Sequence, residues 1–215
     1  MIVFVCAALL SGCKGELIDS VTKNELKAVK PQEGTISVKI NDDYMLGNID
    51  YSHSPLVVDP NAYSSNEIQR GDLVYFQYPP NRFQSAEKKS VLRVVALSGE
   101  KIRMKKGQVY IDGQRLNTFY GKDLYNDLDR LQREIKKKNL DDNEIENIKN
   151  RIRIVENDNV DEITVPENTI YLVGDNRAGA LDSRQIGPIP ISNVIGKVMG
   201  QNCSRERVNY LYRAS

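Results

Sequence analysis

The centre of the chain reads Val91-Leu92-Arg93-Val94-Val95-Ala96-Leu97-Ser98-Gly99-Glu100. Its first seven residues are β-branched or apolar apart from one arginine, and the last three form a turn signal, which together are typical of a buried strand. Similar short β-type stretches recur at residues 35–40, 55–59, 72–76, 101–104, 109–111, 170–173 and 194–199. The turn signals Arg70-Gly71-Asp72, Lys106-Gly107-Gln108 and Asp112-Gly113 separate some of these stretches. Many short strands with short turns predict a mainly β body.

The composition restricts the class of protein. The 215 residues include 30 Lys and Arg against 29 Asp and Glu, so the formal net charge is +1. Nucleic-acid-binding proteins normally carry a clear basic excess, and this balance argues against that class. Hydrophobic residues make up 40% of the chain. This is enough for a packed core, and the length fits one domain with an insertion.

Residues 122–157 break the β pattern. Leu124, Leu128, Leu131 and Ile135 recur at helical spacing, and Ile145, Ile148, Ile152 and Val155 do the same after the loop 140–144, which offers an N-cap. The pattern predicts an inserted helical hairpin. Its nine basic and nine acidic side chains cancel in number, which gives no electrostatic reason to bind an anion. Its apolar stripes either pack on each other or on the sheet, or bind a partner.

The N-terminus carries an export signal pattern. Nine apolar residues, 2–10, are too few to span a bilayer, which takes about 20. Leu10-Ser11-Gly12-Cys13 resembles the bacterial lipobox, and this resemblance implies a signal peptide over 1–12 and a lipid on Cys13. No Lys or Arg precedes the apolar run, although a signal peptide normally begins with a basic segment. The alternative to a lipidated Cys13 is an ordinary signal peptide or a truncated anchor that contains a cysteine. Residues 13–34 are expected to form a tether, with a short helix from Leu17 to Leu26.

Several ordered blocks resemble type I signal peptidases. They are Arg70-Gly-Asp-Leu-Val-Tyr-Phe76, Leu92-Arg-Val-Val-Ala-Leu-Ser-Gly-Glu-Lys-Ile102, Lys106-Gly-Gln-Val-Tyr-Ile-Asp-Gly-Gln-Arg-Leu116, Val165-Pro-Glu-Asn168, Leu172-Val-Gly-Asp-Asn-Arg177, Asp182-Ser-Arg-Gln-Ile-Gly-Pro-Ile189 and Ile195-Gly-Lys-Val198. The resemblance covers about 130 residues in the family's order. It implies a coiled antiparallel sheet body over 35–121 and 158–204, with the hairpin at the position of the family's variable cap and a tail at 205–215.

The resemblance also implies a serine nucleophile and a lysine general base, and this sequence departs from both. A serine hydroxyl needs a base, and a lysine serves only when its pKa is lowered by burial. Tyr44 stands at the position of the serine, Leu92 at that of the lysine, and Ala180 at that of a supporting polar residue. The motif residues that remain are Met45, Arg93, Gly174, Asp175, Asn176, Arg177, Asp182, Ser183 and Arg184. The four residues Asp175, Arg177, Asp182 and Arg184 suit a structural role, as ion pairs that join adjacent loops.

Other serines and lysines, and one histidine, are candidate replacements for the dyad. Ser37, Ser52 and Ser54 lie near Tyr44 in sequence, and His53, the only histidine, lies between two of them. Lys88 and Lys89 precede Leu92 by four and three residues, which along a strand is about 10 Å or more. One histidine and the unpaired Cys203 give no metal-ligand spacing, and neither a cofactor motif nor a disulfide framework is present.

Two functions follow from these observations. The first is a catalytically inactive, lipid-anchored relative of signal peptidase I, on the extracytoplasmic face of a bacterial membrane, that binds an exported protein or signal peptide by strand addition. The second is an active serine endopeptidase of this family with a displaced Ser/Lys pair. A third role is a scaffold subunit that binds a paralogous active signal peptidase through the hairpin.

Overall fold

A computed structural model of the protein describes residues 15–46, 55–80, 88–123, 126–137 and 139–202. The strands in this part of the chain are β1 (Glu16–Ile18), β2 (Ala28–Val29), β3 (Ile36–Val38), β4 (Leu56–Asp59), β5 (Leu73–Gln77), β6 (Lys89–Ala96), β7 (Lys101–Lys105), β8 (Gln108–Ile111), β9 (Gln114–Asn117), β10 (Val160–Thr164), β11 (Thr169–Val173), β12 (Ile189–Pro190) and β13 (Val194–Asn202). The helices are α1 (Leu128–Glu134), α2 (Asp142–Asn157), α3 (Ser183–Ile186) and a 3₁₀ turn at Ile191–Asn193. The expected mainly β fold is confirmed.

The strands form two sheets. The larger has the order β12-β11-β6-β5-β13-β4-β3, with β2 added to β13, and the smaller has the order β1-β9-β8-β7-β10. Pairing is antiparallel except at the added strands, where β1 runs parallel to β9 and β2 parallel to β13. Register shifts interrupt the pairings of β11 with β6 and of β13 with both neighbours, and such irregularities bend and twist the sheet.

Each sheet covers its own apolar core. The core of the larger sheet includes Met45, Phe76, Tyr78, Leu92 and Leu172, all with no exposed side-chain surface. The second core lies under the smaller sheet and contains Ile102, Met104, Val109, Ile111, Leu116 and Tyr120. Strand β6 contributes to both cores, because its first half packs in the larger one and Val95 and Ala96 pack in the smaller one. The central run of the sequence therefore joins the two halves of the body.

The segment expected as a tether forms part of the sheets. Leu17 of β1 packs against the smaller core, and β1 pairs with β9 in the register Leu17 to Leu116. Ala28 of β2 pairs with Gln201. Strand β1 stands at the start of the short helix that the spacing of Leu17 to Leu26 predicted, and residues 17–26 form no helix, because pairing with a strand distant in sequence outweighs a weak local helical pattern. Residues 1–14, with Cys13, and the tail from 203 onward lie outside the described residues.

The inserted hairpin has its own small core. Leu131 of α1 packs against Ile148 and Val155 of α2. Helix α2 begins with a capping box, in which the Asp141 carboxylate accepts a hydrogen bond from the Glu144 backbone N–H and the Glu144 carboxylate accepts one from the Asp141 N–H. The apolar stripes thus meet each other. Neither α1 nor α2, nor any other helix in the described ranges, has the length and apolarity that a bilayer span requires.

A buried ion pair connects β6 to the loop after β11. Arg93 Nε and Nη2 donate to the two carboxylate oxygens of Asp175 at 2.9 and 2.7 Å, and both side chains are only 2% exposed. Arg93 Nη1 donates to the Gly71 carbonyl at 2.9 Å, and the Phe119 and Tyr120 rings lie 4.9 and 5.2 Å from the guanidinium carbon. The charge is therefore paired, hydrogen-bonded and covered by aromatic faces.

We predict that Asp175→Ala lowers the free energy of unfolding by about 3 to 5 kcal/mol, because the Arg93 charge would remain buried without its partner. The matched control is Glu146→Ala, which removes the carboxylate of the exposed pair with Arg153 and should cost below about 1 kcal/mol. Urea unfolding of both variants measures the difference. Equal costs for the two carboxylates would contradict this account.

Candidate functional site

Tyr44, Leu92 and Ala180, the three positions that the resemblance led us to expect for catalytic groups, meet around Gly174. A side-chain carbon built on Gly174 would lie 2.3 Å from Ala180 Cβ, 2.6 Å from the Tyr44 carbonyl oxygen and 3.5 Å from Leu92 Cδ2. Only a glycine fits at this point of close approach. Residues 44, 92 and 180, which are far apart in sequence, therefore share one site.

Backbone hydrogen bonds hold the Tyr44 segment against the loop after β11. The Asn176 N–H donates to the Tyr44 carbonyl at 2.9 Å, and Asn176 Nδ2 donates to the Asp43 carbonyl at 3.0 Å. The sulfur of the buried Met45 accepts a hydrogen bond from the Asp175 N–H at 3.4 Å. Because Asp175 is fixed by Arg93, the position of residue 44 depends on that ion pair.

A lysine and two tyrosines occupy the site beside Leu92. Lys88 Nζ donates a hydrogen bond to Tyr44 Oη at 2.9 Å and lies 4.9 Å from the centre of the Tyr44 ring and 5.6 Å from that of Tyr78. Tyr78 is fully buried, its hydroxyl donates to the Leu181 carbonyl at 2.7 Å, and burial raises its pKa. The amine nearest to position 44 is thus bound to a phenol.

Ser90, which lies two residues before Leu92 on β6, is bound to a carboxylate. Ser90 is fully buried, and its Oγ donates to Asp42 Oδ2 at 2.6 Å. Burial raises the pKa of Asp42 above its ordinary value, although the hydrogen bond from Ser90 and the charge of Lys88 act in the opposite direction. A hydroxyl that donates its hydrogen bond to a carboxylate, in a place closed to solvent, is poorly placed to attack a peptide carbonyl.

No serine hydroxyl is hydrogen-bonded to a lysine amine in the described ranges. Ser37 lies on β3, and Ser52, His53 and Ser54 lie outside the described residues. Nor do the described side chains include a group of three or more His, Cys, Asp and Glu residues that could hold a metal ion. The site at Gly174 therefore contains a phenol, an aliphatic side chain and a methyl group at the three positions of interest.

The retained polar residues form an ionic network that reaches the hairpin. Asp182 pairs with Arg184 at 2.9 Å, as expected from the sequence, and its carboxylate also caps α3 and accepts from the Gly174 N–H. Asp175, however, pairs with Arg93, and Arg177 approaches Asp158, which follows α2, at 3.7 Å. Asp158 also binds Arg184 at 3.0 Å.

Arg177 and Ser183 are buried and hydrogen-bonded, which suits a structural role. Burial lowers the pKa of Arg177, an effect that the nearby Asp158 carboxylate opposes. Arg177 Nη2 donates to the Tyr120 carbonyl at 2.9 Å. Ser183 Oγ accepts a hydrogen bond from the Leu172 N–H at 2.9 Å, which fixes α3 against β11.

The sequence did not identify Asp42 or Ser90 as members of the site, and it placed Lys88 about 10 Å or more from Leu92 along the strand. The signal that would have found it is the alternation of side chains, since residues 88, 90 and 92 lie on one face of an extended segment and Lys89 lies on the other. The side chain of Tyr44 also extends well beyond the position of a serine oxygen, so it meets Lys88, which directly precedes β6.

Among the described residues, no strand pairs with the outer edge of the first half of β6. The Tyr78 N–H donates to the Lys88 carbonyl and the Val94 N–H to the Asp72 carbonyl, so alternate residues of β6 face β5. The intervening residues Lys89 and Val91 direct their backbone groups to the other side. The pairing with β11 begins only at Arg93, and none of the backbone hydrogen bonds outside the ladders of the described ranges involves Lys89 or Val91.

An apolar cavity of about 530 Å³ lies elsewhere on the body. Tyr63, Ile68, Leu97, Ile170 and Val194 contribute to its lining. None of the residues at positions 44, 92 and 180 belongs to it. Its size alone does not make it the functional site, because the motif residues of the chain converge at Gly174.

Comparison with known proteins finds similarity to signal peptidases. The sequence profile of the family described as signal peptidase, peptidase S26, matches residues 37–201. Signal peptidase I of Bacillus caldolyticus is 29% identical over 149 residues, which is 66% of this chain and 66% of that protein. The signal peptidase I of Buchnera aphidicola is 26% identical over 197 residues, 74% of this chain and 61% of that protein. The chain thus spans slightly less than two thirds of these two relatives.

A third relative and a solved structure are also similar. Signal peptidase I V of Bacillus subtilis is 25% identical over 165 residues, 75% of this chain and 79% of that protein. The crystal structure of a signal peptidase I from Enterococcus faecalis matches with 24% identity and a TM-score of 0.39, and covers 62% of this chain and 97% of that one.

We predict that Asp42→Asn changes the pH dependence of stability. The pKa of Asp42 is raised in the folded state, so the carboxyl group stabilises the fold below its unfolded pKa, and this contribution is lost as the pH rises through the folded value. The variant should therefore gain stability relative to the parent as the pH rises from about 3.8, and approach it in acid. Urea unfolding between acid and neutral pH tests this, with the exposed Asp161→Asn as control. A difference independent of pH would contradict the prediction.

Proposed function

Because the chain belongs to the signal peptidase family, peptidase S26, we propose that it is a catalytically inactive member that binds an exported peptide in the inherited groove. The observation that carries this proposal is the content of the Gly174 site, where Tyr44, Leu92 and Ala180 meet. A leucine cannot accept a proton, and a tyrosine bound to Lys88 cannot act as the serine.

The outer edge of the first half of β6 supports peptide binding by strand addition. Lys89 and Val91 offer backbone donors and acceptors beside the Gly174 site. An extended peptide that pairs with this edge gains main-chain hydrogen bonds, and the side chains of Tyr44 and Lys88 flank its path. The proposed ligand is a signal peptide or another extended segment of an exported protein.

The alternative is an active serine endopeptidase that processes exported precursors. The relatives named above are signal peptidases I, and Lys88 and Ser90 lie on the same face of β6 as the family's lysine position. Against it, Ser90 is buried and bound to Asp42, and Lys88 is bound to Tyr44. A displaced dyad would require both side chains to exchange partners.

We further propose that Cys13 carries a lipid and holds the domain at the extracytoplasmic face of the membrane. The support is the lipobox-like sequence Leu10-Ser11-Gly12-Cys13 behind a short apolar run, together with a family that acts at the membrane. A role as partner of a paralogous active signal peptidase is compatible with this location.

We expect the soluble chain from Lys14 onward to bind a pre-protein peptide saturably without cleaving it. Lys89→Pro removes one donor at the outer edge without touching the ladder to β5, and it should weaken binding about 3- to 10-fold, as the loss of one hydrogen bond predicts. Lys89→Ala is the matched control and should bind like the parent. Fluorescence anisotropy measures binding, and mass spectrometry of the peptide detects cleavage.

The same assay distinguishes an active serine endopeptidase from the proposed inactive peptide-binding protein. Cleavage by the parent that Ser90→Ala and Lys88→Met each abolish would establish an active enzyme with a displaced pair, and Ser37→Ala and Ser54→Ala extend the test to the other serines. The triple variant Tyr44→Ser, Leu92→Lys and Ala180→Ser should gain cleavage if these three positions are the former catalytic ones.

We predict that the full chain expressed in a bacterium incorporates a fatty-acid label, and that Cys13→Ser abolishes the incorporation. The thiol of Cys13 is the proposed attachment point, so loss of its sulfur removes the site. Cys203→Ser is the control, because it removes a different cysteine and should leave the label unchanged. Label retained by Cys13→Ser would contradict the anchor.

A further inference from the structure

We propose that the C-terminal segment, residues 203–215, folds back along β13 and places Tyr210 and Tyr212 in the apolar cavity of about 530 Å³. The occupant of the cavity is therefore a part of this chain. Val194 and Ile195 at the start of β13 line the cavity, and the segment follows directly after the end of β13. This inference is independent of what the Gly174 site binds.

A continuous groove leads from the end of β13 to the cavity. A second depression, of about 660 Å³, is lined by Lys197 and Met199 of β13. It shares Tyr63, Asn66 and Glu67 with the cavity, so the two depressions adjoin each other. The groove thus runs beside β13 from near its end back toward its start.

The groove exposes apolar surface to solvent. Met199 is 45% exposed and Ile191, which lines the cavity, is 39% exposed. Leu97, Ile170 and Ile195 also contribute to the lining of the cavity. A concave apolar surface of this kind is typical of a binding site. A segment with apolar side chains that covered it would remove this surface from water.

The length of the segment matches the length of the groove. Ile195 precedes Asn202 by seven residues, which along a strand is about 23 Å. Tyr210 and Tyr212 follow Asn202 by eight and ten residues, which an extended chain spans over about 26 to 33 Å. The difference leaves enough chain for a reversal of direction. The two tyrosines can therefore reach the cavity from the end of β13.

The spacing of apolar residues in the segment suits an extended chain in a groove. Val208, Tyr210 and Tyr212 are two positions apart, so in an extended conformation their side chains point to one side. Asn209 and Leu211 point to the other side. One side of the segment thus presents three large side chains to the groove.

The lining of the cavity suits tyrosine. Ile68 and Ile170 provide apolar surface, and Asn66 and Glu67 provide polar groups beside it. A tyrosine has an apolar ring with a hydroxyl at its end, and when it is buried the hydroxyl usually finds a hydrogen-bond partner. A cavity with this mixed lining can accommodate both parts of the side chain.

The charges of the groove and of the segment are complementary. The charged lining residues are Asp59, Glu67 and Lys197, and Lys197 pairs with Asp72 at 2.5 Å. No ion pair within the described ranges includes Asp59 or Glu67. Residues 203–215 contain three arginines and one glutamate. An acidic groove attracts a basic segment, which favours this occupant.

The test measures the proximity of the segment to the cavity in the soluble chain from Lys14 onward. Cys203 is the only cysteine of this chain, so Cys203→Ser with Ala214→Cys leaves one thiol for a nitroxide label. The label lies two residues beyond the second tyrosine. We expect it to attenuate the amide NMR signals of Leu97 and Ile195, and the signals to recover when the nitroxide is reduced.

Two double variants in this labelled background test the role of the tyrosines. Tyr210→Ser with Tyr212→Ser removes both rings from the side that faces the groove, and the attenuation should be lost. The matched control, Asn209→Ser with Leu211→Ser, changes two residues on the opposite side of the segment and should retain the attenuation. The remaining amide signals of each spectrum verify that both variants keep the fold.

Three results would overturn the proposal. The first is no attenuation at the cavity in the labelled parent, and the second is an equal loss of attenuation in both double variants. The third comes from a mixture of spin-labelled chains with isotopically labelled chains that carry no nitroxide. Full attenuation in this mixture would assign the groove to the segment of a second copy.

Discussion

The buried contact between Arg93 and Asp175 is the constraint on which the rest of the molecule depends. One guanidinium fixes the turn at Gly71, the loop after β11 and the aromatic pair Phe119 and Tyr120, because it binds or faces all three. A charge in the interior needs each of these contacts to offset its desolvation. The geometry of the body is consequently set where the two cores meet on β6.

This constraint does not depend on the side chain at position 92. Neighbouring residues of a strand point to opposite sides, so Leu92 can face the Gly174 site while Arg93 faces Asp175. A change at position 92 therefore leaves the ion pair at position 93 intact. Leu92 is fully buried in the larger core, so an apolar side chain there adds packing in place of a polar group that would need a partner.

The sequence predicted the principal strands because their signals are local. The run from Val91, for example, is apolar on both faces and stops at a glycine turn, and β6 extends over Lys89–Ala96. Strands β1 and β9 have no such signal: only Leu116 of β9 is buried, and β1 exists because it pairs with β9 from a distant part of the chain. Pairing of this kind depends on the whole fold and cannot be inferred from a window of residues.

In the candidate site, as in the sheets, the sequence predicted some features, and contacts between segments distant in sequence determine the others. Motif order placed residues 44, 92 and 180 together, and they meet at Gly174. The contacts of Lys88 with Tyr44, of Ser90 with Asp42 and of Arg93 with Asp175 required the coordinates, since each joins segments more than 40 residues apart. The register of β6 and of the residue before it determines which side chains take part in these three contacts.

The hairpin extends this argument to charge. Residues 122–157 carry as many basic as acidic side chains, and specific contacts hold the hairpin: the capping box stabilises the start of α2, and Glu146 pairs with Arg153. Asp158, which follows α2, binds Arg184 and approaches Arg177, so the insertion is joined by charge to the loop that forms the Gly174 site. An insertion joined in this way keeps a defined position on the body, which a flexibly attached hairpin with the same composition would not do.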